Sequence, residues 1–343
     1  MKIALDATYS VGDNLSGVGV YSRELIRGLA AQHPEQQFQL CYRPHRFGRA
    51  FRTAIPPNCR RVLLYGPLFR GSRDFFHGLN QRVPDIRFAK TISTFHDLFV
   101  LTGDYSSPEF RSRFAQQARR AAGESDAIIA VSEFTARQVE HLLGVERSRL
   151  HVVHHGVNRE VVAERGHRER IILNVGAIQR RKNIARLVEA FERTPSGWNL
   201  VLAGSAGYGA DEIFSRIESS PRSRDIRVLG YVSAVELEHW YARARIFAFP
   251  SLDEGFGMPV LEAMASRVPV IAADRAALPE VCGDAALLVD PEDVEAIHAA
   301  LERLMRDDEL AETLIRKGLG RAAEFSWKKA AEQTWIVYEG VLS

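Results

Sequence analysis

Short apolar runs alternate with segments of helical period along nearly the whole chain, and at Arg170 the alternation starts afresh. Strands separated by helices must pair in parallel through right-handed crossovers, so an α/β fold with parallel sheets is expected, and the restart predicts a second such unit. In the first series, strands are expected at 1–7, 38–42, 61–65, 90–95, 127–131 and 151–153, with helices over 20–32, 108–123 and 133–143. Val20, Leu25, Ile26 and Leu29 share one side of the first helix, which stops before Pro34. The second series has strands at 171–175, 200–203, 226–229, 246–249, 270–272 and 286–289, and helices over 183–192, 233–244 and 259–265. Three further helices follow at 291–305, 309–324 and 326–342, the last with Trp327, Ala331, Trp335 and Tyr338 at helical spacing for packing.

The 343 residues, 46% of them hydrophobic, suffice for two cores. The seam is expected near 155–167, where apolar periodicity lapses. Three scattered cysteines, Cys41, Cys59 and Cys282, support neither a disulfide framework nor a zinc site and suit a reducing cytosol. The opening MKIALDATYS reads as a first strand rather than a leader, and no stretch reaches the roughly twenty apolar residues of a membrane-spanning helix. Any membrane contact is therefore expected to be peripheral. Net charge is only +2, yet residues 41–90 hold eleven basic residues against Asp74 and Asp85. Arginines interleaved there with Phe47, Phe51, Tyr65 and Phe69 suit an anionic headgroup or a phosphate-bearing acceptor; they read equally as a solvated face.

The most informative segment runs from Pro250 to Glu262, PSLDEGFGMPVLE. It leaves a strand, turns through Gly255 and Gly257 and enters a helix near Pro259. A helix start offers unpaired N–H groups to a phosphate, and glycines let backbone and ligand approach closely. Two carboxylates, Glu254 and Glu262, are placed to accept hydrogen bonds from sugar hydroxyls. The segment FPSLDEGFGMPVLEAMASRVPVIAAD resembles the signature of the retaining glycosyltransferases of family 4, which have the GT-B architecture.

That resemblance implies two facing Rossmann-like domains: an acceptor-side domain of 1–157 plus a last helix, 326–343, crossing back to it, and a donor domain of 158–325. It implies Glu262 on the donor ribose, Glu254 near the transferred sugar, and Gly255, Phe256, Gly257, Met258 and Val260 around sugar and diphosphate. In NVGAIQRRKN, Gly176 marks the turn, and Arg181 and Lys182 are the cations for the leaving diphosphate; Ala177 stands where many relatives have Arg. Ser16-Gly17-Val18-Gly19 resembles the loop that meets the diphosphate from the other domain, with Gly17 at its centre. It is not a GxGxxG fingerprint, since Ser22 replaces a third glycine. His96, ending a strand in Phe95-His96-Asp97, resembles the family's histidine near the sugar, and Tyr231 and Val232 the loop at the nucleobase. His154 and His155 are assigned no chemistry.

No Asp-x-Asp pair ends an expected strand, so no metal and no other cofactor is expected. The best reading is a cytoplasmic enzyme, peripheral on the inner membrane face, that transfers mannose from GDP-mannose to a glycan or lipid-linked acceptor. Nucleic acid is not an expected partner. A UDP-sugar-dependent hexosyl or N-acetylhexosaminyl transferase, an epimerase or phosphorylase of similar architecture, and a catalytically silent donor-binding scaffold are the alternatives.

Overall fold

The computed structural model of the chain describes residues 2–12, 14–157 and 168–343; most of the expected seam, and Met1 of the first expected strand, fall outside them. The chain divides into two compact units. Unit 1 comprises Met1–Leu101, Pro108–Gly156 and Phe325–Ser343, and unit 2 comprises Thr102–Ser107 and Val157–Glu324. Phe325 thus falls with unit 1, and the excursion of 102–107 into unit 2 has no counterpart in the sequence reading.

Unit 1 contains β1 (Lys2–Asp6), α1 (Gly17–Gln32), β2 (Gln37–Tyr42), α2 (Pro44–Ala50), β3 (Cys59–Leu63), β4 (Phe75–Gly78) and β5 (Lys90–Phe95). These are followed by α3 (Phe99–Thr102), α4 (Pro108–Glu124), β6 (Ala127–Ala130), α5 (Glu133–Leu143) and β7 (Leu150–Val152). Its seven parallel strands are ordered β3-β2-β1-β4-β5-β6-β7. Ile3, Ala4 and Leu5 are buried on both faces of β1, which is why the strand reads as a continuous apolar run without alternation. Helix α1 begins three residues earlier than expected, at Gly17, because Ser16 caps it by accepting the Gly19 N–H. The expected loop at 17–19 is therefore the first turn of a helix.

Unit 2 contains β8 (Glu169–Val175), α6 (Ile184–Glu192), β9 (Asn199–Ala203), α7 (Ala210–Glu218), β10 (Ile226–Gly230), α8 (Ala234–Arg243) and β11 (Ala244–Phe249). It continues through α9 (Met258–Ala265), β12 (Val270–Ala273), α10 (Leu278–Cys282), β13 (Ala286–Val289), α11 (Val294–Arg306) and α12 (Asp308–Ala323). Its six parallel strands are ordered β10-β9-β8-β11-β12-β13. Both sheets are doubly wound, each with one point at which strand order reverses: between β1 and β4, and between β8 and β11.

The last helix, α13 (Trp327–Leu342), returns to unit 1. Gln32 at the end of α1 donates to the Lys328 carbonyl, Trp335 stacks on His33 with centroids 3.6 Å apart, and Ala330, Ala331, Val337 and Tyr338 enter the core shared by α1 and β1.

Candidate active site

In open parallel sheets, ligands bind beyond the C-terminal ends of the strands, at the point where strand order reverses. In unit 2 the two loops at that point leave β8 and β11, and they carry most of the residues singled out from the sequence. After β8 the backbone turns at Gly176, whose φ of 149° few other residues adopt. A Cβ there would also lie 3.0 Å from Lys182 Cε. A 3-10 turn over Arg180–Lys182 follows, then Asn183 in the left-handed region at φ 58°. Its side-chain amide donates to the Pro250 and Pro291 carbonyls at 3.0 and 2.6 Å, and the Leu252 N–H donates to the Arg181 carbonyl at 2.8 Å. The Asn183 amide and one backbone hydrogen bond thus fix the two loops together before any charge is counted.

Glu254 sits buried between the loops. Its Oε1 accepts from Lys182 Nζ at 2.5 Å and its Oε2 lies 2.9 Å from Arg181 Nη1, which also donates to the Asp253 carbonyl. The Lys182 ammonium lies 4.6 Å from the centre of the Phe249 ring. Burial alone would raise the Glu254 carboxyl, but Arg181 and Lys182 overcome it and hold it at about 2. Arg180, next in sequence, turns to the surface and pairs with Glu212 and Asp104. Asp253 accepts at Oδ2 from Thr102 Oγ1 at 2.8 Å, so the excursion from the N-terminal half contributes to this cluster.

Glu262 lies half-buried within α9, and its Oε2 accepts from the Tyr241 hydroxyl at 2.9 Å. Burial pushes this carboxyl up, and the Tyr241 hydrogen bond offsets only part of the rise. The two glutamates of the motif are therefore driven in opposite directions. At the start of α9, Gly257 holds φ 101° and provides no side-chain cap, and Pro259 occupies the first turn. Gly255 and Phe256 are buried and Met258 is half-exposed; Val260 is core, its N–H turned back to the Gly257 carbonyl. Tyr231 is exposed and Val232 half-buried beyond edge strand β10, two strands from β8 on the same side of the sheet.

The corresponding point of unit 1 has another character. Gly17 is exposed at the start of α1. His96, one residue past β5, is buried; its Nε2–H donates to the Leu79 carbonyl at 2.9 Å, and its Nδ1 lies 3.4 Å from Nε2 of His155. Burial lowers His96 to about 4, with the Leu79 bond opposing. Beneath it, His77 of β4 bonds the Tyr338 hydroxyl at 2.6 Å and Thr94 Oγ1 at 2.8 Å, and Thr94 Oγ1 lies 3.0 Å from the Tyr21 hydroxyl. Burial, then the neighbouring His96, lowers His77 to about 3. His155 is pulled well below its ordinary value by burial, His96 and His154.

The structure thus gathers Arg181, Lys182 and Glu254 in one cluster, places Glu262 within the helix that follows, and leaves His96 and Gly17 in the other unit. Asn183, Tyr241, His77, Thr94 and His155 were not anticipated. Only Asn183, the last letter of RRKN, carried a local signal. Among the described residues, no three His, Cys, Asp or Glu side chains converge to hold a metal ion, and no helix is long and apolar enough to cross a membrane.

Two doubly wound parallel sheets, a last helix that returns to the first of them, and paired cations at the reversal point of the second define a glycosyltransferase of the GT-B fold. Over its whole length the solved sucrose-phosphate synthase of Thermosynechococcus elongatus superposes with a TM-score of 0.81 at 23% identity, covering 100% of this chain and 99% of that one. The Anabaena protein HepE, solved with UDP-glucose, does so at 0.74 with 15% identity, covering 99% of each chain. The chain belongs to glycosyltransferase family 4: residues 15–161 match the model described as Glycosyltransferase Family 4, and residues 158–321 match Glycosyl transferases group 1. The O-antigen chain mannosyltransferase B of Escherichia coli is 30% identical over 99% of this chain and 100% of its own length.

Proposed function

We propose that this glycosyltransferase is retaining and metal-independent and moves mannose from GDP-mannose to a glycan or lipid-linked acceptor, working at the cytoplasmic face of a membrane. Unit 2, Thr102–Ser107 with Val157–Glu324, is its donor domain, and unit 1 its acceptor side. The observation that carries the reading is the buried grouping of Arg181 and Lys182 with Glu254 and Asp253 beside the start of α9. Two preformed cations suit a diphosphate, and preformed charges in a dry site stabilise charge as it develops. As the bond from the sugar's anomeric carbon to the phosphate oxygen breaks, negative charge grows on that oxygen, and Arg181 and Lys182 supply the neutralisation that a divalent ion supplies in other designs. Glu262 accepts from the ribose hydroxyls, and Tyr231 and Val232 lie toward the base.

Both oxygens of Glu254 are held by cations, which makes it a poor nucleophile. That supports attack by the acceptor hydroxyl on the face the leaving group departs from, through an ion-pair-like state. The acceptor's proton then passes to the leaving phosphate oxygen, and Glu254 helps orient the sugar. Mannose is favoured by the name of the E. coli relative, and a UDP-sugar donor by the HepE complex. Nucleotide release is to be measured across GDP- and UDP-sugars with and without a chelator. GDP released from GDP-mannose, unchanged by chelation, is the expected result. Release only from UDP-sugars would shift the donor, recovery by added metal after chelation would remove metal independence, and binding without release would favour the silent scaffold.

A further inference from the structure

From residue 36 to residue 73 the chain contains eight arginines and no acidic residue. The fold divides these arginines into two groups. Arg43 turns inward to Asp6, Arg60 donates to Gln39, and Arg61 donates to the Ala50 and Thr53 carbonyls while lying 5.2 Å over the Phe51 ring. These three fasten the segments on either side of edge strand β3. On one face α2 packs through Phe47 onto the α1 core, and on the other Phe69 enters a separate cluster with Phe76 and Phe88. The other five, Arg46, Arg49, Arg52, Arg70 and Arg73, make no ion pair among the described residues.

Between them the fold leaves three large apolar side chains in solvent: Phe51 is 63% exposed, Tyr65 50% and Leu68 53%. Other exposed apolar residues lie in different company. Val235 neighbours Glu236 and Glu238, and Ile336 lies four residues from Glu332 and three from Glu339 on its helix. Around β3, exposed apolar tips coincide with cations that make no ion pair among the described residues, in a stretch, 36–73, without an acidic residue.

We propose that the β3 edge of unit 1 is a docking face for an anionic lipid bilayer, with Arg49, Arg52, Arg70 and Arg73 at the headgroups and Phe51, Tyr65 and Leu68 entering the interface. This deepens the proposed membrane-face location and does not depend on which donor is used. Basic side chains near an anionic surface and apolar tips that enter the interface reinforce each other, whereas a soluble phosphate would leave the tips idle. A second copy of the same edge would bring two positive faces together, which disfavours self-pairing as the occupant.

The test is sedimentation of the full chain with vesicles of phosphatidylcholine, with and without phosphatidylglycerol. Binding is expected only with phosphatidylglycerol, falling as salt rises. At about fivefold for each basic residue, Arg49→Gln with Arg52→Gln, or Arg70→Gln with Arg73→Gln, lowers partition at least about tenfold. Phe51→Ser with Leu68→Ser weakens it without changing the salt slope, and Leu68→Trp adds an emission that shifts to the blue with these vesicles. Nucleotide release to a soluble acceptor stays at the parental level in all four variants, which separates loss of docking from failure of the donor site. Equal binding to both vesicle types, parental binding by the arginine variants, displacement by millimolar glycerol phosphate, or a stable dimer in place of vesicle binding would each overturn the proposal.

Discussion

The two sheets reverse strand order in the same way, yet the residues at their reversal points differ in kind. In unit 1 the groups along β4 and β5 are neutral and desolvated: His77, Thr94, Tyr21 and Tyr338 are linked by hydrogen bonds, with His96 and His155 stacked above, while Asp6 at the end of β1 is taken up by Arg43. In unit 2 the point is built from charges, with one carboxylate held by two cations. One backbone plan thus provides two electrostatic environments, and only the second is suited to a diphosphate. Uncharged imidazoles suit a sugar or an acceptor hydroxyl, where hydrogen-bond direction matters more than field.

The largest test of this contrast is Lys182→Ala. Losing a preformed cation should lower kcat/KM about 100- to 1,000-fold, on the scale of removing one donor from a preorganised site. His96→Ala should cost less and act mainly on kcat. A smaller loss in Lys182→Ala than in His96→Ala, measured by nucleotide release, would reverse the assignment of the two units.

Glu254→Ala strands two buried cations, and removing one partner of a buried pair typically costs about 3–5 kcal/mol. Calorimetry should therefore show a marked drop in Tm. Tyr338→Phe removes one buried hydrogen bond from the neutral network, worth about 1 kcal/mol, and should leave donor affinity unchanged. A larger drop for Tyr338→Phe than for Glu254→Ala would contradict the comparison.

Acid should reach the units in order. His77 and His96, lowered to about 3 and 4 from 6.5, bind protons first in the unfolded chain, so they cost no stability above about pH 6.5 and progressively more as pH falls toward 4 and 3. Glu254 is lowered to about 2 from 4.5, so its contribution is whole above pH 4.5 and is lost toward pH 2. Hydrogen exchange corrected for intrinsic rate should show β4 and β5 losing protection at a higher pH than 176–183 and 250–257; simultaneous loss counts against the assignment. Smallest of all, Tyr241→Phe removes the one hydrogen bond that lowers Glu262 and should raise the donor KM a few-fold without changing kcat.

The strands with long apolar runs, β1 and β8 among them, were legible because a parallel strand is buried on both faces. Strand β4 was not: Phe75-Phe76-His77-Gly78 is four residues long and shows no period, yet it lies beside β1 at the centre of its sheet. Helix α7 was not expected, because Gly204, Gly207 and Gly209 directly before it carry a loop signal that masks its start. At the site, RRKN and EGFGMPVLE announced themselves locally. Their partners did not, because Tyr241 is 21 residues from Glu262 and Thr102 is 151 from Asp253, and such pairings follow from topology rather than pattern.

The return of α13 to unit 1 bears on how the molecule is made. A nascent chain releases β1, β4 and β5 early, but the Tyr338 hydroxyl that engages His77, and the apolar side of α13 that covers α1, leave the ribosome some 240 residues after β5. Every residue of unit 2 has by then been translated. The half begun first is thus the half finished last, and until α13 arrives its core is open to whatever else in the cell binds apolar surface.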